Sequence, residues 1–192
     1  SRLDEADFKA ADIQAGINNT LMILHARLKK KSDKPGIQVI TEYGELPLVE
    51  CYPGQLNQVF MNLLGNAIDA LEEHDERRSL AELKAHPSQI HIQTALIQGV
   101  PSNDGEDEIE TVKDWVAITI ADNGPGIPWE IRTKLFDPFF TTKPVGKGTG
   151  LGLSISYQIV VERHGGRLFC YSEPGEGTQF VIQIPLQQDL IQ

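Results

Sequence analysis

A chain of 192 residues, 40% of them hydrophobic, can bury one good core and is best taken as a single domain. Its formal net charge of −10 and pI near 4.9 argue against a nucleic-acid partner, and no apolar run approaches the ~18 residues needed to cross a membrane. Nothing at the start reads as a signal peptide, and the two cysteines, Cys51 and Cys170, lie far apart without metal-ligand spacing; a soluble domain in a reducing cytoplasm is expected, with both thiols packing.

Apolar periodicity predicts a helix over 10–31, closed by Lys29-Lys30-Lys31 where basic groups suit the C-terminal dipole, and then a strand over 37–42. The helix expected over 53–76 is the best defined. Leu56, Val59, Phe60, Leu63, Leu64, Ala67, Ile68 and Leu71 recur at helical spacing, and Pro53 is acceptable in a first turn, where a missing N–H costs little. At about 100° per residue, Asn62, Asn66 and Asp69 form one polar row roughly 130° from the centre of that stripe. Neutral amide oxygens can complete the octahedral shell of a magnesium ion whose other ligands are phosphate oxygens and water. Taken alone, the Asn pair reads more readily as a solvated helix face.

A short helix over 78–85 and a strand over 89–98 follow, with Ile90, Ile92 and Thr94 alternating with polar residues. The stretch 98–110 is too acidic and breaker-rich for a core and is expected to be an exposed hairpin loop. Residues 115–121 read as a buried strand that delivers Asp122 to its end, just before Gly124 and Gly126. Such a carboxylate can accept from an exocyclic amine like that of adenine, while the glycines let backbone approach a flat base; a plain Asn-Gly-Pro-Gly turn is the alternative. After a short helix over 128–135, Gly146, Gly148, Gly150 and Gly152 lead into a helix over 151–164. Free N–H groups at its start favour phosphate, and Lys143 and Lys147 can add positive charge, although a glycine-rich run by itself also describes a mobile linker. Neither Rossmann nor Walker spacing fits this run. Strands over 167–172 and 178–186 complete an α+β, two-layer α/β sandwich, with helices on one face of a mixed, mostly antiparallel sheet.

In family order, Gln58 through Ala70, Asp122 through Ile127, Leu135-Phe136-Asp137-Pro138-Phe139-Phe140, Gly146 through Leu153, and Gly175 through Phe180 carry a resemblance. They resemble the asparagine, first glycine, phenylalanine, second glycine and final glycine motifs of the catalytic and ATP-binding domain of sensor histidine kinases. That branch belongs to the superfamily of gyrase, mismatch-repair and chaperone ATPases. The resemblance implies a Bergerat-type ATP-binding fold that takes ATP with Mg²⁺. It implies that Asn62 and Asn66 hold magnesium and phosphates, that Asp122 binds the adenine amine with Thr178 supporting it through water, and that residues 137–149 form a lid. Asp69, Gly124, Gly126, Ile127, Phe139, Lys143, Lys147, Gly148, Thr149, Gly150, Leu151, Gly152 and Leu153 complete the nucleotide-binding set it implies. The phenylalanine motif is expected to help the lid engage the helix that carries an acceptor histidine.

In the hydrolytic relatives a water-activating glutamate stands where this sequence has Asn62, and Asn cannot serve as a general base. Transfer to a positioned acceptor is therefore expected over rapid hydrolysis. None of the five histidines, His25, His74, His86, His91 and His164, sits in an H-E-x-R-x-P-L-like acceptor segment. His74-Asp75-Glu76-Arg77 lacks the proline and leucine and should continue the asparagine helix, while His25 reads as structural. Residues 1–9 are accordingly expected to be the end of a dimerisation hairpin or linker, and 10–192 the catalytic domain. The implied partners are the parent's own dimerisation and phosphoacceptor domain and a response-regulator receiver domain, with the parent a homodimer and no membrane contact by this domain. A stand-alone ATPase clamp of the same superfamily and a non-catalytic module with a decayed pocket are the competing readings.

Overall fold

Residues 7–101, 112–137 and 152–188 are described by a computed structural model of the chain. A short strand β1 (Lys9–Ala11) leads into helix α1 (Ile13–Leu28). The helix expected over 10–31 is shorter at both ends for local reasons. Asp12 caps its start by accepting from the Ala15 N–H at 3.1 Å, and Lys29 turns extended, with ψ 156°. Strands β2 (Gln38–Tyr43) and β3 (Val49–Cys51) precede α2 (Pro53–Asp75), which matches the predicted asparagine helix within a residue and contains His74. Helix α3 (Leu80–Ala85) is fixed by a capping box between Ser79 and Glu82.

The long strands β4 (Gln89–Pro101) and β5 (Val112–Asp122) pair antiparallel, followed by one turn of helix, α4 (Trp129–Arg132). Helix α5 (Gly152–Tyr157) runs on as a π-helical segment, Gln158–Arg163, before strands β6 (Arg167–Glu173) and β7 (Gly177–Pro185). The central sheet has the order β2-β4-β5-β7-β6, with only β2 and β4 parallel. β1 and β3 form a separate antiparallel ribbon that periodicity did not disclose, since three-residue strands carry no readable alternation.

One face of the sheet makes the core. Ile90 and Ile92 on β4, Val116, Ile118 and Ile120 on β5, and Phe180, Ile182 and Ile184 on β7 are buried, while the residues between them are half-buried or exposed. The whole predicted stripe of α2 packs into the same cluster, joined by Ile13, Ile17, Leu24 and Leu28 of α1 and by Ile159 and Val160 after α5. Helices on one face of a mixed sheet give the two-layer α+β architecture expected. Cys51 is buried and Cys170 half-buried, and burial pushes both thiols up to about 11, which suits packing rather than reactivity. No helix among the described residues is long and apolar enough to cross a membrane.

Candidate functional site

β5 ends at Asp122, directly across from Thr178 on β7, and Thr178 faces Ser172 on β6. All three share the alternation of the core-facing residues, so the sheet register alone lines up a carboxylate and two hydroxyls beneath α2. The Asp122 carboxylate accepts from the Gly124 N–H at 2.9 Å and from the Thr178 backbone. Burial pushes its carboxyl up to about 6 against the pull of those two donors.

Ser172, absent from the sequence-based set, ties the first and final glycine motifs together. Its hydroxyl donates to the Gly177 carbonyl at 2.9 Å, receives the Ile127 N–H at 2.7 Å, and lies 3.0 Å from the Thr178 hydroxyl. With its one proton given to Gly177, Ser172 is the acceptor from Thr178, and the Thr178 oxygen keeps its lone pairs for a further donor such as a water. Ile127, expected at the nucleotide, is thus held to β6 through its backbone. Only the pairing of β6 with β7 discloses the role of Ser172; the sequence carries no such mark.

Two glycines here serve the protein's own backbone. Gly126 has φ +77°, and a Cβ on it would lie 2.2 Å from the Glu173 carbonyl oxygen; Gly177 has φ +102°, with 2.0 Å to that of Asp122. The bare Gly126 was expected to admit a base, but what approaches it is β6. Gly124 differs: a Cβ there would come within 2.9 Å of the Asp122 carboxylate and then meet Leu71 and Ala70 of α2 at 3.6 and 3.9 Å. The first glycine segment therefore lies over the second half of α2, beside the carboxylate.

The other half of the site is built on α2 itself. Asn66 stands one turn before Ala70, and Asn62 one turn earlier still, both half-buried. A rise of about 1.5 Å per residue separates Asn62 from Ala70 by roughly 12 Å along the helix. The Asn62 amide nitrogen donates to the Gly152 carbonyl at 3.1 Å and reaches the Ser156 hydroxyl at 3.3 Å. The start of α5 is thereby pinned to the asparagine row, while Leu153 packs half-buried against the core. Asp69, expected in the same row, is tied to α1: Arg27 donates to it at 2.6 Å and to Glu72 at 2.9 Å. Phe136 packs against the core and lies 5.5 Å from the Tyr157 ring of α5. Phe139, Lys143, Lys147, Gly148, Thr149, Gly150 and Leu151, with most of the expected lid, lie outside the described residues.

Residues 51–188 match the family described as Histidine kinase-, DNA gyrase B-, and HSP90-like ATPase. The chain is 38% identical over 166 residues to Sensor kinase CckA of Brucella abortus, covering 86% of this chain and 16% of that protein. It is 30% identical over 179 residues to Sensor histidine kinase ZraS of Escherichia coli, covering 93% of this chain and 31% of the relative. The chain thus spans less than a third of either relative's length. Among solved structures, the catalytic domain of histidine kinase ThkA superposes with a TM-score of 0.66 at 26% identity, covering 94% of this chain and 96% of the other. Full-length ShkA in complex with AMPPNP gives a TM-score of 0.67 at 22% identity over 95% of this chain and 32% of that one, a likeness of fold.

Proposed function

We propose, from the premise that the chain belongs to the histidine kinase-, DNA gyrase B- and HSP90-like ATPase family, that it is the ATP-binding catalytic domain of a sensor histidine kinase. The observation that carries this reading is the pairing of a half-buried carboxylate at the end of β5, beside Gly124 and Ala70, with an amide row on α2 whose members stand roughly 6 and 12 Å along the helix from Ala70, a span that suits a nucleoside triphosphate. Asp122 accepts the adenine amine, and Thr178, its hydroxyl turned by Ser172, presents an oxygen to a bridging water. Ala70 and Leu71 floor the base beneath Gly124. Asn62 and Asn66 face the phosphates, where magnesium, when bound, neutralises charge that a chain of net −10 would otherwise repel.

The residues fit that cargo. Asn62 and Asn66 are neutral, so a cation held there keeps its charge for the phosphates. Asn62 also stands where a hydrolytic enzyme needs a base, and its amide protons already engage Gly152 and Ser156, so it orients groups without deprotonating water. The γ-phosphoryl group then passes to a histidine on a separate dimerisation domain, which supplies its own base, and onward to an aspartate of a receiver domain. Lys143, Lys147 and residues 148–151 belong to the phosphate-binding set in this reading, with the domain in the cytoplasm and the parent a homodimer.

Mixing this chain with ATP and the dimerising hairpin of its own parent tests the proposal. Acid-labile label on a hairpin histidine, lost with Asp122→Ala, is the expected result. Rapid phosphate release by the chain alone, with no labelled histidine, would support a stand-alone ATPase clamp instead.

A further inference from the structure

The hydrogen bonds around Asn62 fix which end of its side chain faces the site. The Gly152 carbonyl can only accept, and it lies 3.1 Å from one terminal atom of the Asn62 carboxamide, so that atom must be the nitrogen. Exchanging the two ends would set oxygen against oxygen. The nitrogen carries two protons, and two acceptors are present: the Gly152 carbonyl and the Ser156 hydroxyl oxygen at 3.3 Å. Ser156 has one proton, and it goes to the same carbonyl at 2.8 Å. Every donor in this triangle is used inside it, and Ser156 is fully buried, at 0% exposure. The polar atom left over is the Asn62 oxygen. Gly152 leaves it uncovered, because the nearest points of the Asn62 side chain lie 3.6–3.9 Å from where a Cβ on Gly152 would stand.

From this we infer that Ser156 is a positioning residue for the metal: with the Gly152 carbonyl, it locks the Asn62 carboxamide so that it offers an oxygen to a divalent cation and no N–H to a phosphate. The inference rests on the proposed Mg-ATP site and assigns a division of labour within it. Asn62 serves the cation, and binding of the bare nucleotide does not depend on it. Ser156 acts one shell behind. Removing its hydroxyl leaves the amide a single acceptor and the freedom to turn.

The test measures nucleotide affinity of the 192-residue chain by calorimetry, using a non-hydrolysable ATP analogue over a series of Mg²⁺ concentrations and again in EDTA. Ser156→Ala should raise the Mg²⁺ concentration for half-maximal enhancement by about fivefold, the loss of one hydrogen-bond partner, while leaving affinity in EDTA unchanged. Ser156→Thr, which keeps the hydroxyl, should restore the parent's Mg²⁺ dependence. An unaltered Mg²⁺ dependence in Ser156→Ala, or an equal loss with and without the metal, would overturn the assignment. A parent chain whose affinity ignores Mg²⁺ would instead remove the site reading beneath it, before any variant is compared. Should the variants not fold, the Asn62 side-chain amide of the parent decides by nuclear magnetic resonance. Its two protons should stay in place when metal-free nucleotide binds, and a large shift would show it donating to phosphate.

Discussion

The two ends of the proposed nucleotide site are held by different means. At the carboxylate end, the sheet does the work: Asp122, Thr178 and Ser172 sit side by side because β5, β7 and β6 are in register, and Gly126 and Gly177 let loop and strand backbones touch. At the amide end, position depends on side-chain hydrogen bonds between two helices, Asn62 to Gly152 and Ser156. The backbone of the first end, closed at Gly126 and Gly177, cannot be altered without disturbing the fold, whereas the second end can be loosened while the fold stands. A domain that must hold a base firmly and release a spent phosphate chain gains from that asymmetry.

Glycine substitutions break the comparison most sharply. Gly177→Ala would put a methyl group 2.0 Å from the Asp122 carbonyl in a conformation with φ +102°, and should cost more than roughly 3 kcal/mol, with a melting temperature lower by about 10 °C. Gly152→Ala, whose added methyl would find only ordinary contacts at 3.6–3.9 Å, should melt within about 2 °C of the parent. Its effect should fall on Mg-nucleotide affinity, since the methyl shields the Asn62 oxygen. Thermal melts of both variants, with and without nucleotide, check the contrast; similar melting temperatures would erase it.

The next effect comes from the charge at the rigid end. Asp122 titrates at about 6 in the fold against an ordinary 3.8, so it binds its proton more tightly folded than unfolded. Its favourable contribution is fully present below 3.8 and is lost as pH rises through about 6. At pH 7 the empty domain carries a poorly solvated charge, so Asp122→Asn should stabilise it by up to about 2 kcal/mol at pH 7 and by little at pH 4. The same substitution should weaken adenine-nucleotide binding, and the parent's own affinity should fall as pH drops below about 6. Melting and calorimetry across pH 4–8 test both signs; a destabilised empty Asp122→Asn at pH 7 contradicts the account of the shift.

The smallest effect concerns His164, fully buried behind the π-helical segment. Its Nδ1 donates to the Ile159 carbonyl at 2.7 Å and its Nε2 accepts the Tyr52 N–H at 3.0 Å, so the ring is held neutral, and burial lowers its pKa from 6.5. Stability present above 6.5 should be lost as pH falls through the lowered value. Because Asp122 has the opposite sign in that window, the comparison belongs in an Asp122→Asn background. There His164→Gln should flatten the remaining decline in melting temperature between pH 7 and 5; an unchanged slope would assign the decline elsewhere.

How far this was legible in the sequence follows the same division. α2 was readable because twenty-three residues carry an apolar stripe long enough to fix its phase, and with it the Asn62–Asn66 row. Asp122 was readable as the last residue of an apolar strand. Ser172 was not, because its role comes from lying across from Thr178 two strands away from Asp122, and strand pairing is not written in local pattern. Ser156 lies four residues after Gly152, one helical turn, so its face could have been deduced, but no local mark distinguishes its hydroxyl from that of Ser154. Asp69 shares the helical phase of the asparagines, yet Arg27 from another helix draws it toward α1, a contact that periodicity cannot foresee. Gly126 drew attention for its missing Cβ, while the atom that needs that space is the Glu173 carbonyl, which only the pairing of loop and strand brings near.

In the proposed site, Asp122 anchors the adenine of a Mg-ATP lying along α2. Calorimetric titration of the parent and of Asp122→Ala with a non-hydrolysable ATP analogue and Mg²⁺ at pH 7.5 tests it most directly. One saturable site is expected in the parent, weakened by about 1–3 kcal/mol in the variant. Equal affinity in the two chains, or no binding by a folded parent, would contradict it.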